Sequence, residues 1–354
     1  MPLVAVMLTT VISCKKNNHE DRSPTQLPPV PATEKKWIVT TVAGNGAPFF
    51  ADGPVLMARF RAPQDVAVTA DGIYVADGLN HRIRKIAGGE VTTFAGFGRQ
   101  DTTSGIGTAA GFACPLQIVS DMTGNLYTLD VNDFRVRKIT PAALVTVVAG
   151  NGVRGFADGR ADTAKFGESV GIVADEQENI YVSDWENRRI RKISITGKVT
   201  TIAGNGRSGF VNGNGDTAQF FALGGIAIDK LGNLFVADFN RVRKITPAGV
   251  VSTFAGSDAI GYRDGQLDVA LFRFIDDIVI DEQGNIYVSD DNRLRKISTQ
   301  GEVSTIAGNT PGGYLDGDAA SAKFNGLSGL GIDKQGNIYV ADINNNRIRK
   351  ISFE

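Results

Sequence analysis

One sequence pattern occurs six times along this chain of 354 residues. Each copy begins with a run of the type Ile-Tyr-Val-Ala-Asp and ends with one of the type Arg-Ile-Arg-Lys-Ile. The aspartate that ends the first run recurs every 52 to 54 residues, at Asp77, Asp130, Asp184, Asp238, Asp290 and Asp342. A fixed period of this size indicates a fold built from copies of one structural unit packed side by side.

Each copy predicts four β-strands. Ile-Tyr-Val-Ala is a β-branched and aromatic run of strand length, and the arginine-rich run returns after a turn. A run of the type Val-Thr-Thr-Phe-Ala supplies an outer strand, and a run such as residues 225–228 supplies an inner one. A glycine after the outer strand and a phenylalanine before the inner strand are always sixteen positions apart, as in Gly44 and Phe60. This constant length predicts a packed loop whose phenylalanine is buried between neighbouring sheets.

The copies resemble NHL repeats, whose consensus contains Gly-Asn-Ile-Tyr-Val-Ala-Asp followed by Asn-x-Arg-Ile-Arg-Lys. The sixth copy, from Gly336 to Lys350, carries both parts. The resemblance covers roughly residues 37–354. It implies an all-β fold, a six-bladed β-propeller with four-stranded blades. It implies little about activity, because propellers host many functions.

The last blade needs an outer strand from elsewhere in the chain. A run of the outer-strand type, residues 37–44, precedes the first complete repeat, and only three residues follow the last hairpin. We therefore expect the last blade to be closed by this N-terminal strand. Such closure joins the ends of the ring and removes two exposed sheet edges.

The N-terminal segment predicts a secreted lipoprotein. Residues 1–13 are largely apolar and uncharged, too short to span a membrane and typical of a signal peptide. Val11-Ile12-Ser13-Cys14 resembles a bacterial lipobox, in which the cysteine is lipidated, and residues 14–36 are expected to form the lipidated cysteine and a disordered tether. Lys15 stands where an aspartate would resemble an inner-membrane retention signal, which favours the outer membrane. A plain signal peptide with an incidental cysteine is the alternative, since no Lys or Arg precedes the apolar run.

Composition argues against several functions. The formal net charge of −1 gives no electrostatic reason to bind nucleic acid or anionic lipid. The repeated arginines are matched by repeated aspartates, so we expect paired structural charges. The only histidines are His19 and His81, whereas the NHL-like amidating lyases, which resemble this fold, hold zinc with several histidines. We assign no catalytic residue, because nucleophile-elbow, phosphate-loop and zinc spacings are absent from the sequence.

Candidate binding residues are those that depart from the repeat where the inner strands begin. Inner strands line the channel of a propeller, so these side chains are expected at the channel mouth, on the face that carries the sixteen-residue loops. The candidates are Gln64, Asp65, Gln117, Glu168, Asp276, Asp277 and Ser328. Crowded acids repel one another, so Asp65, Asp276 and Asp277 are the ligands expected for Ca²⁺ or another divalent cation, if one is bound. The alternatives are solvated acids or caps for loop amides.

The sequence therefore favours a binding protein over an enzyme. We expect a monomeric cell-envelope lipoprotein, attached to the membrane through its lipid only, whose propeller is a binding scaffold for a protein or glycan partner. The alternative is a metal-dependent hydrolase or lyase with its site at the channel mouth. That alternative follows from a resemblance to lactonase-type propellers, which hold a divalent cation there with Glu, Asn and Asp.

Overall fold

The computed structural model describes residues 35–354, which form a six-bladed β-propeller. Six antiparallel sheets surround one axis, and the inner strands of neighbouring sheets contact one another all the way round. The all-β, six-bladed fold predicted from the repeat is confirmed. The expected signal peptide, Cys14 and all but two residues of the expected tether lie outside the described residues. Within 35–354, no helix is long and apolar enough to cross a membrane.

Each blade has four main strands, which follow one another in the chain from the channel to the rim in blades 1 to 5, whereas the outermost strand of blade 6 is the N-terminal one. Blades 1 and 2 comprise Pro63–Thr69, Gly72–Asp77, Arg82–Ala87 and Glu90–Ala95, then Pro115–Ser120, Leu126–Asp130, Arg135–Ile139 and Leu144–Ala149. Blades 3 and 4 comprise Ser169–Ala174, Ile180–Asp184, Arg189–Ile193 and Lys198–Ala203, then Leu223–Ile228, Leu234–Asp238, Arg241–Ile245 and Val251–Ala255. Blades 5 and 6 comprise Ile275–Ile280, Ile286–Asp290, Arg293–Ile297 and Glu302–Ala307, then Leu327–Ile332, Ile338–Asp342, Arg347–Phe353 and Trp37–Ala43.

Five of the six blades carry a fifth strand that the four-strand expectation missed. It is two residues long and pairs with the outer strand, at Gly53–Pro54, Gly105–Ile106, Gly159–Arg160, Gly265–Gln266 and Gly317–Asp318. In blade 4 the same place holds a single bridge between Gly213 and Val251. These strands form because the long loop packs back on the rim, where its backbone pairs with an otherwise open edge.

The N-terminal strand closes the last blade, as expected. Trp37–Ala43 lies between Arg347–Phe353 and Gly317–Asp318 and is antiparallel to both. Val39 stands opposite Ile351 and is fully buried. The rings of Trp37 and Phe353 lie 5.3 Å apart, centroid to centroid. The two chain ends of the propeller are therefore joined by a complete strand pairing.

Each blade is held by one fully buried arginine above one buried phenylalanine. In blade 3, Arg191 donates to Asp184 at 3.0 Å and, through Nε and a terminal nitrogen, to Asp158 at 3.0 and 2.6 Å. Its guanidinium carbon lies 4.9 Å from the centre of the Phe166 ring, which is 1% exposed. The expectation of paired structural charges is confirmed for this arginine, and so is the burial of the loop phenylalanine. Planar arginine suits such a site because it can satisfy two carboxylates and an aromatic face together.

Blade 2 lacks part of this arrangement. Its loop has Ser104 where blade 3 has Asp158, and Thr102 where blade 3 has Phe156. Arg137 therefore meets a single carboxylate, Asp130, at 3.5 Å. Its Nε atom is buried and has no hydrogen-bond partner among residues 35–354. The arginine–aspartate contact of blade 2 is thus longer than those of the other five blades, which measure 2.7 to 3.0 Å.

Candidate ligand-binding site

The channel is lined by the free edges of the six inner strands. Each strand shifts register where it begins to pair with its neighbour, as between Pro63 and Asp65 in blade 1. The inner edge of a blade has no further strand to pair with, so its amides need other acceptors. Side chains at the register shift supply those acceptors.

Two aspartates bind amides of the channel edge. Asp65 accepts hydrogen bonds from the amide of Val66 at 2.7 Å and, in blade 2, from that of Ile118 at 2.8 Å. Asp277 accepts one from the amide of Leu330 in blade 6 at 2.8 Å. Each carboxylate thus ties one blade to the next around the axis.

Gln117 acts in the same way. Its side-chain oxygen accepts from the amide of Ile172 in blade 3 at 3.2 Å. Asp65, Gln117 and Asp277 line a channel cavity of about 180 Å³ whose other walls are aliphatic. Asp65 and Asp277 are 4% and 5% exposed. The structure therefore places these residues in the channel wall, bonded to strand amides, rather than on a solvated rim.

The other four predicted residues do not join this group as acceptors for the channel amides. Ser328 donates a hydrogen bond to Asp276, which links blades 6 and 5. Gln64 donates to the carbonyl of Ala62 at 3.1 Å, two residues away. Glu168 is half-exposed and lies 3.7 Å from Arg154. Its contacts thus belong to the surface of blade 3.

Burial dominates the electrostatics of the channel acids. It raises the pKa of Asp277 from 3.8 to about 7. Burial, followed by the charge of Asp277, raises the pKa of Asp65 well above its usual range. Burial also raises the pKa of Asp276, against the hydrogen bond from Ser328. These acids are costly to ionise because little water reaches them.

The channel acids fit a metal ion poorly. Asp65 and Asp277 already accept backbone amides, and Asp276 accepts the Ser328 hydroxyl. Across residues 35–354, no group of three or more His, Cys, Asp or Glu side chains is arranged to hold a metal ion. Calcium sites need six to eight oxygen ligands. We therefore derive no chemical step through a metal at this position.

A different feature stands out on the loop face, the face that carries the sixteen-residue loops and the turns between second and third strands. Four phenylalanines form a continuous row there, hereafter the aromatic row: Phe210, Phe221, Phe239 and Phe274. Successive ring centroids are 5.2, 5.3 and 6.1 Å apart. Phe221 and Phe274 are each 44% exposed. Exposed contiguous aromatic surface is a common mark of an interaction site.

Backbone contacts fix the positions of the row. The amide of Phe221 donates to Asp238 at 2.8 Å. The amide of Phe239 donates to the carbonyl of Ala222 at 2.9 Å, and its own carbonyl accepts from Ile275 of blade 5 at 2.7 Å. Phe221 and Phe274 precede the inner strands of their blades, so the row crosses the boundary between blades 4 and 5 beside the channel.

A polar network borders the row at Phe274. The Tyr262 hydroxyl donates to Asp291 at 2.5 Å, and the Arg273 guanidinium donates to the same oxygen at 3.0 Å. The side chain of Arg273 is 59% exposed, so donors of its guanidinium stay open to solvent. Burial, followed by the hydrogen bond to Asp291, raises the pKa of Tyr262, which keeps its hydroxyl protonated at neutral pH.

The sequence contains a signal for this row. Most of the candidate binding residues, such as Asp65 and Asp277, stand four or five positions after a buried phenylalanine, and Glu168 stands two positions after one. The first position after these phenylalanines holds Arg61, Ala113, Gly167, Phe221, Arg273 and Asn325, and the second holds Ala62, Cys114, Glu168, Ala222, Phe274 and Gly326. Only blades 4 and 5 have an aromatic residue at either position.

Family models match two parts of the chain. The Teneurin NHL domain matches residues 91–263, and the NHL repeat matches residues 324–351. Mouse Teneurin-3 is 28% identical over 390 residues, which cover 95% of this chain and 14% of that protein. The Arabidopsis thaliana protein SUPPRESSOR OF QUENCHING 1 is 27% identical over 250 residues, 64% of this chain and 24% of that protein. The chain thus spans about a seventh to a quarter of the length of these relatives.

Solved propellers share the fold at low identity. An auxiliary nutrient binding protein from Bacteroides thetaiotaomicron superposes with a TM-score of 0.69 at 17% identity, covering 91% of this chain and 77% of the other. One from Bacteroides ovatus gives 0.67 at 18%, covering 91% and 78%. A streptogramin B lyase gives 0.55 at 12%, covering 90% and 98%. At these identities the likeness establishes the architecture alone.

Proposed function

We propose that this chain, a six-bladed β-propeller built from NHL repeats, is the binding module of a bacterial cell-envelope lipoprotein. Its partner is a protein or a glycan of the envelope, and it binds on the loop face. The protein is a monomer anchored through Cys14, on the outer membrane. It needs no nucleic acid and no metal cofactor for this function.

The observation that carries the proposal is the aromatic row. Two of its rings, Phe221 and Phe274, are 44% exposed, whereas the repeated phenylalanines that precede them, Phe220 and Phe272, are fully buried. Exposing apolar rings to water costs free energy that burial against a partner would recover. Aromatic residues, phenylalanine included, and arginine are also enriched in the cores of interfaces. The row and Arg273 supply both types in one place.

The structural relatives also support binding. Two of the propellers that share the fold carry the name auxiliary nutrient binding protein. Binding on a propeller face needs no catalytic group, which agrees with a chain that has only two histidines. The lactonase-like alternative would need a cation site, and the channel acids already accept amide and hydroxyl hydrogen bonds.

Binding is tested with the full chain and an envelope extract that has been separated into protein and polysaccharide fractions. Wild type is compared with the double variant Phe221→Ser/Phe274→Ser. The control is Leu231→Ser, which alters a leucine that is 79% exposed on the opposite face. We expect wild type and the control to retain a component of one fraction, and the double variant to lose it. Equal retention by all three proteins would contradict the proposal.

The anchor is tested separately. In cells, Cys14→Ser should move the protein from the membrane fraction to the soluble fraction, because the segment after Cys14 contains no long apolar run. Incorporation of labelled fatty acid into wild type, and not into the variant, is the matching measurement. Unchanged membrane fractionation of the variant would contradict the anchor and leave the binding proposal standing.

A further inference from the structure

The exposed area of the aromatic row is small. A phenylalanine exposes roughly 200 Å² when fully free, so 44% exposure of Phe221 and Phe274 leaves roughly 90 Å² on each. Phe210 has one face covered by Arg241, whose guanidinium carbon is 3.9 Å from the ring centre. A specific protein partner covers about 800 Å² on each side. The row alone is instead the size of one or two sugar rings.

The shape of the row also suits sugar rings. Phe221 and Phe239 are inclined at 56°, and Phe239 and Phe274 at 72°. The rings of Phe221, Phe239 and Phe274 therefore lie in different planes rather than forming one flat apolar patch, while Phe210 stacks on Phe221 at 24°. A pyranose ring has a flat side of C–H groups, which pack against an aromatic face, while its hydroxyl groups point outward around the edge.

Hydrogen-bonding groups border the row at Phe274, whose carbonyl accepts from the amide of Asp291 at 3.0 Å. Arg273 precedes Phe274 in sequence, and its guanidinium is oriented by Asp291 at 3.0 Å. Asp291 is itself held by the Tyr262 hydroxyl at 2.5 Å. A planar guanidinium fixed by a carboxylate presents its remaining N–H groups in a set geometry. Ordered donors of this kind can bind neighbouring hydroxyl oxygens with little further loss of entropy.

The backbone conformation of Phe239 also supports a role for its ring. Phe239 has a φ of +61°, a conformation that bulky side chains adopt at a cost. Asp291 occupies the equivalent turn position in blade 5 at +58°, and aspartate tolerates that conformation well. Keeping a phenylalanine where a small polar residue would fold more easily is consistent with a role for the ring.

We infer that the aromatic row, with Arg273 beside it, is a carbohydrate-binding subsite. The inference rests on the proposed function and names the partner class. The row stacks against one or two sugar rings of a glycan, and Arg273 binds their hydroxyl groups. The site crosses the boundary of blades 4 and 5, so it needs both blades folded together.

The test is native gel electrophoresis of the full chain in gels that contain laminarin, glycogen, mannan or xylan. We expect at least one polysaccharide to retard wild type, and Phe221→Ala/Phe274→Ala to weaken that binding at least about tenfold. Phe274→Trp keeps an aromatic face and should retain binding. Arg273→Ala should weaken binding about fivefold or more. Leu231→Ala is the matched control, and melting curves check that every variant is folded.

Three outcomes would overturn the inference. If none of the four polysaccharides retards wild type, while an envelope protein is retained in a manner that depends on Phe221 and Phe274, the partner is a protein and the proposed function stands. If retardation occurs but survives the double alanine variant, the glycan site lies elsewhere. If wild type is retarded by no polysaccharide and retains no envelope component, the proposed function is wrong as well.

Discussion

Asp277 of blade 5 and Leu330 of blade 6 are joined by a hydrogen bond of 2.8 Å between a carboxylate oxygen and a backbone amide. Asp65 makes the equivalent bond to Ile118 at 2.8 Å, and Gln117 makes one to Ile172 at 3.2 Å. The side chains that stood out as ligand candidates thus link neighbouring blades along the channel. These side chains should therefore contribute to the stability of the ring of blades.

Stability should depend on the ionisation of Asp277. Burial raises its pKa in the folded protein from 3.8 to about 7, with Asp65, Asp276 and Gln117 facing it. The folded state therefore binds more protons than the unfolded state between about pH 4 and 7, and the free energy of unfolding falls as pH rises through that window. The stabilisation contributed by protonated Asp277 is fully present below about pH 4.

Asp277→Asn removes this titration. Urea unfolding gives the free energy of unfolding of the variant minus that of wild type. This difference should be about 1 kcal/mol or more higher at pH 8 than at pH 5. The matched control is Asp71→Asn, because a hydrogen bond from Lys85 lowers the pKa of exposed Asp71 to about 2, outside the window. If the free energies of unfolding of wild type and Asp277→Asn differ by the same amount at both pH values, the account is wrong.

Calcium should not bind the channel acids. Their oxygens accept amide and hydroxyl hydrogen bonds, and a calcium ion would have to displace those donors. Millimolar calcium should therefore shift the melting temperature of wild type no more than that of Asp276→Asn/Asp277→Asn. A rise that occurs in wild type and is lost in the double variant would restore the metal site expected from the sequence.

Ser104→Asp should stabilise blade 2. In blade 1 the equivalent residue, Asp52, accepts from Arg84 Nε at 3.0 Å and from the Thr93 amide at 3.1 Å. Arg137 Nε is buried and has no partner among residues 35–354. Supplying an acceptor should add about 1 kcal/mol to the free energy of unfolding. Ser104→Asn supplies an acceptor oxygen without a charge, and it should increase the free energy of unfolding by less than Ser104→Asp does. An unchanged or lower urea midpoint for the aspartate variant would show that this loop cannot complete the site.

Removal of the closing strand should weaken the ring. A variant that begins at Asn45 lacks Val39, which is fully buried, and leaves the edge of Arg347–Phe353 unpaired. Compared with a variant that begins at Lys35, its melting temperature should fall by at least about 5 °C. Differential scanning calorimetry of the two proteins makes the comparison. Equal melting temperatures would mean that the sixth blade does not depend on this strand.

The repeat made most of the scaffold predictable. Six aligned copies determine the blade number, and the constant spacing to Phe60 and its equivalents predicts their burial. The two-residue rim strands were missed because they form through backbone pairing with the outer strand and leave no side-chain pattern. Gly53 and Pro54, for example, have no strand propensity of their own.

The candidate site was only partly predictable. Asp65 and Asp277 were found because they break the repeat, yet their role depends on which strand edge faces the axis, which a sequence does not give. The aromatic row was visible in the same alignment at Phe221 and Phe274. These rings carry no chemical motif, because a binding face can be built from exposed rings and one arginine without any carboxylate.

Photocrosslinking in intact cells tests the central claim most directly. Benzoylphenylalanine is placed at position 274, in the aromatic row, or at position 231, on the opposite face, and reacts with C–H bonds of proteins and glycans alike. We predict a higher-mass adduct on denaturing electrophoresis from position 274 and none from position 231. Adducts from position 231 alone, or from neither position, would contradict the assignment of binding to the loop face.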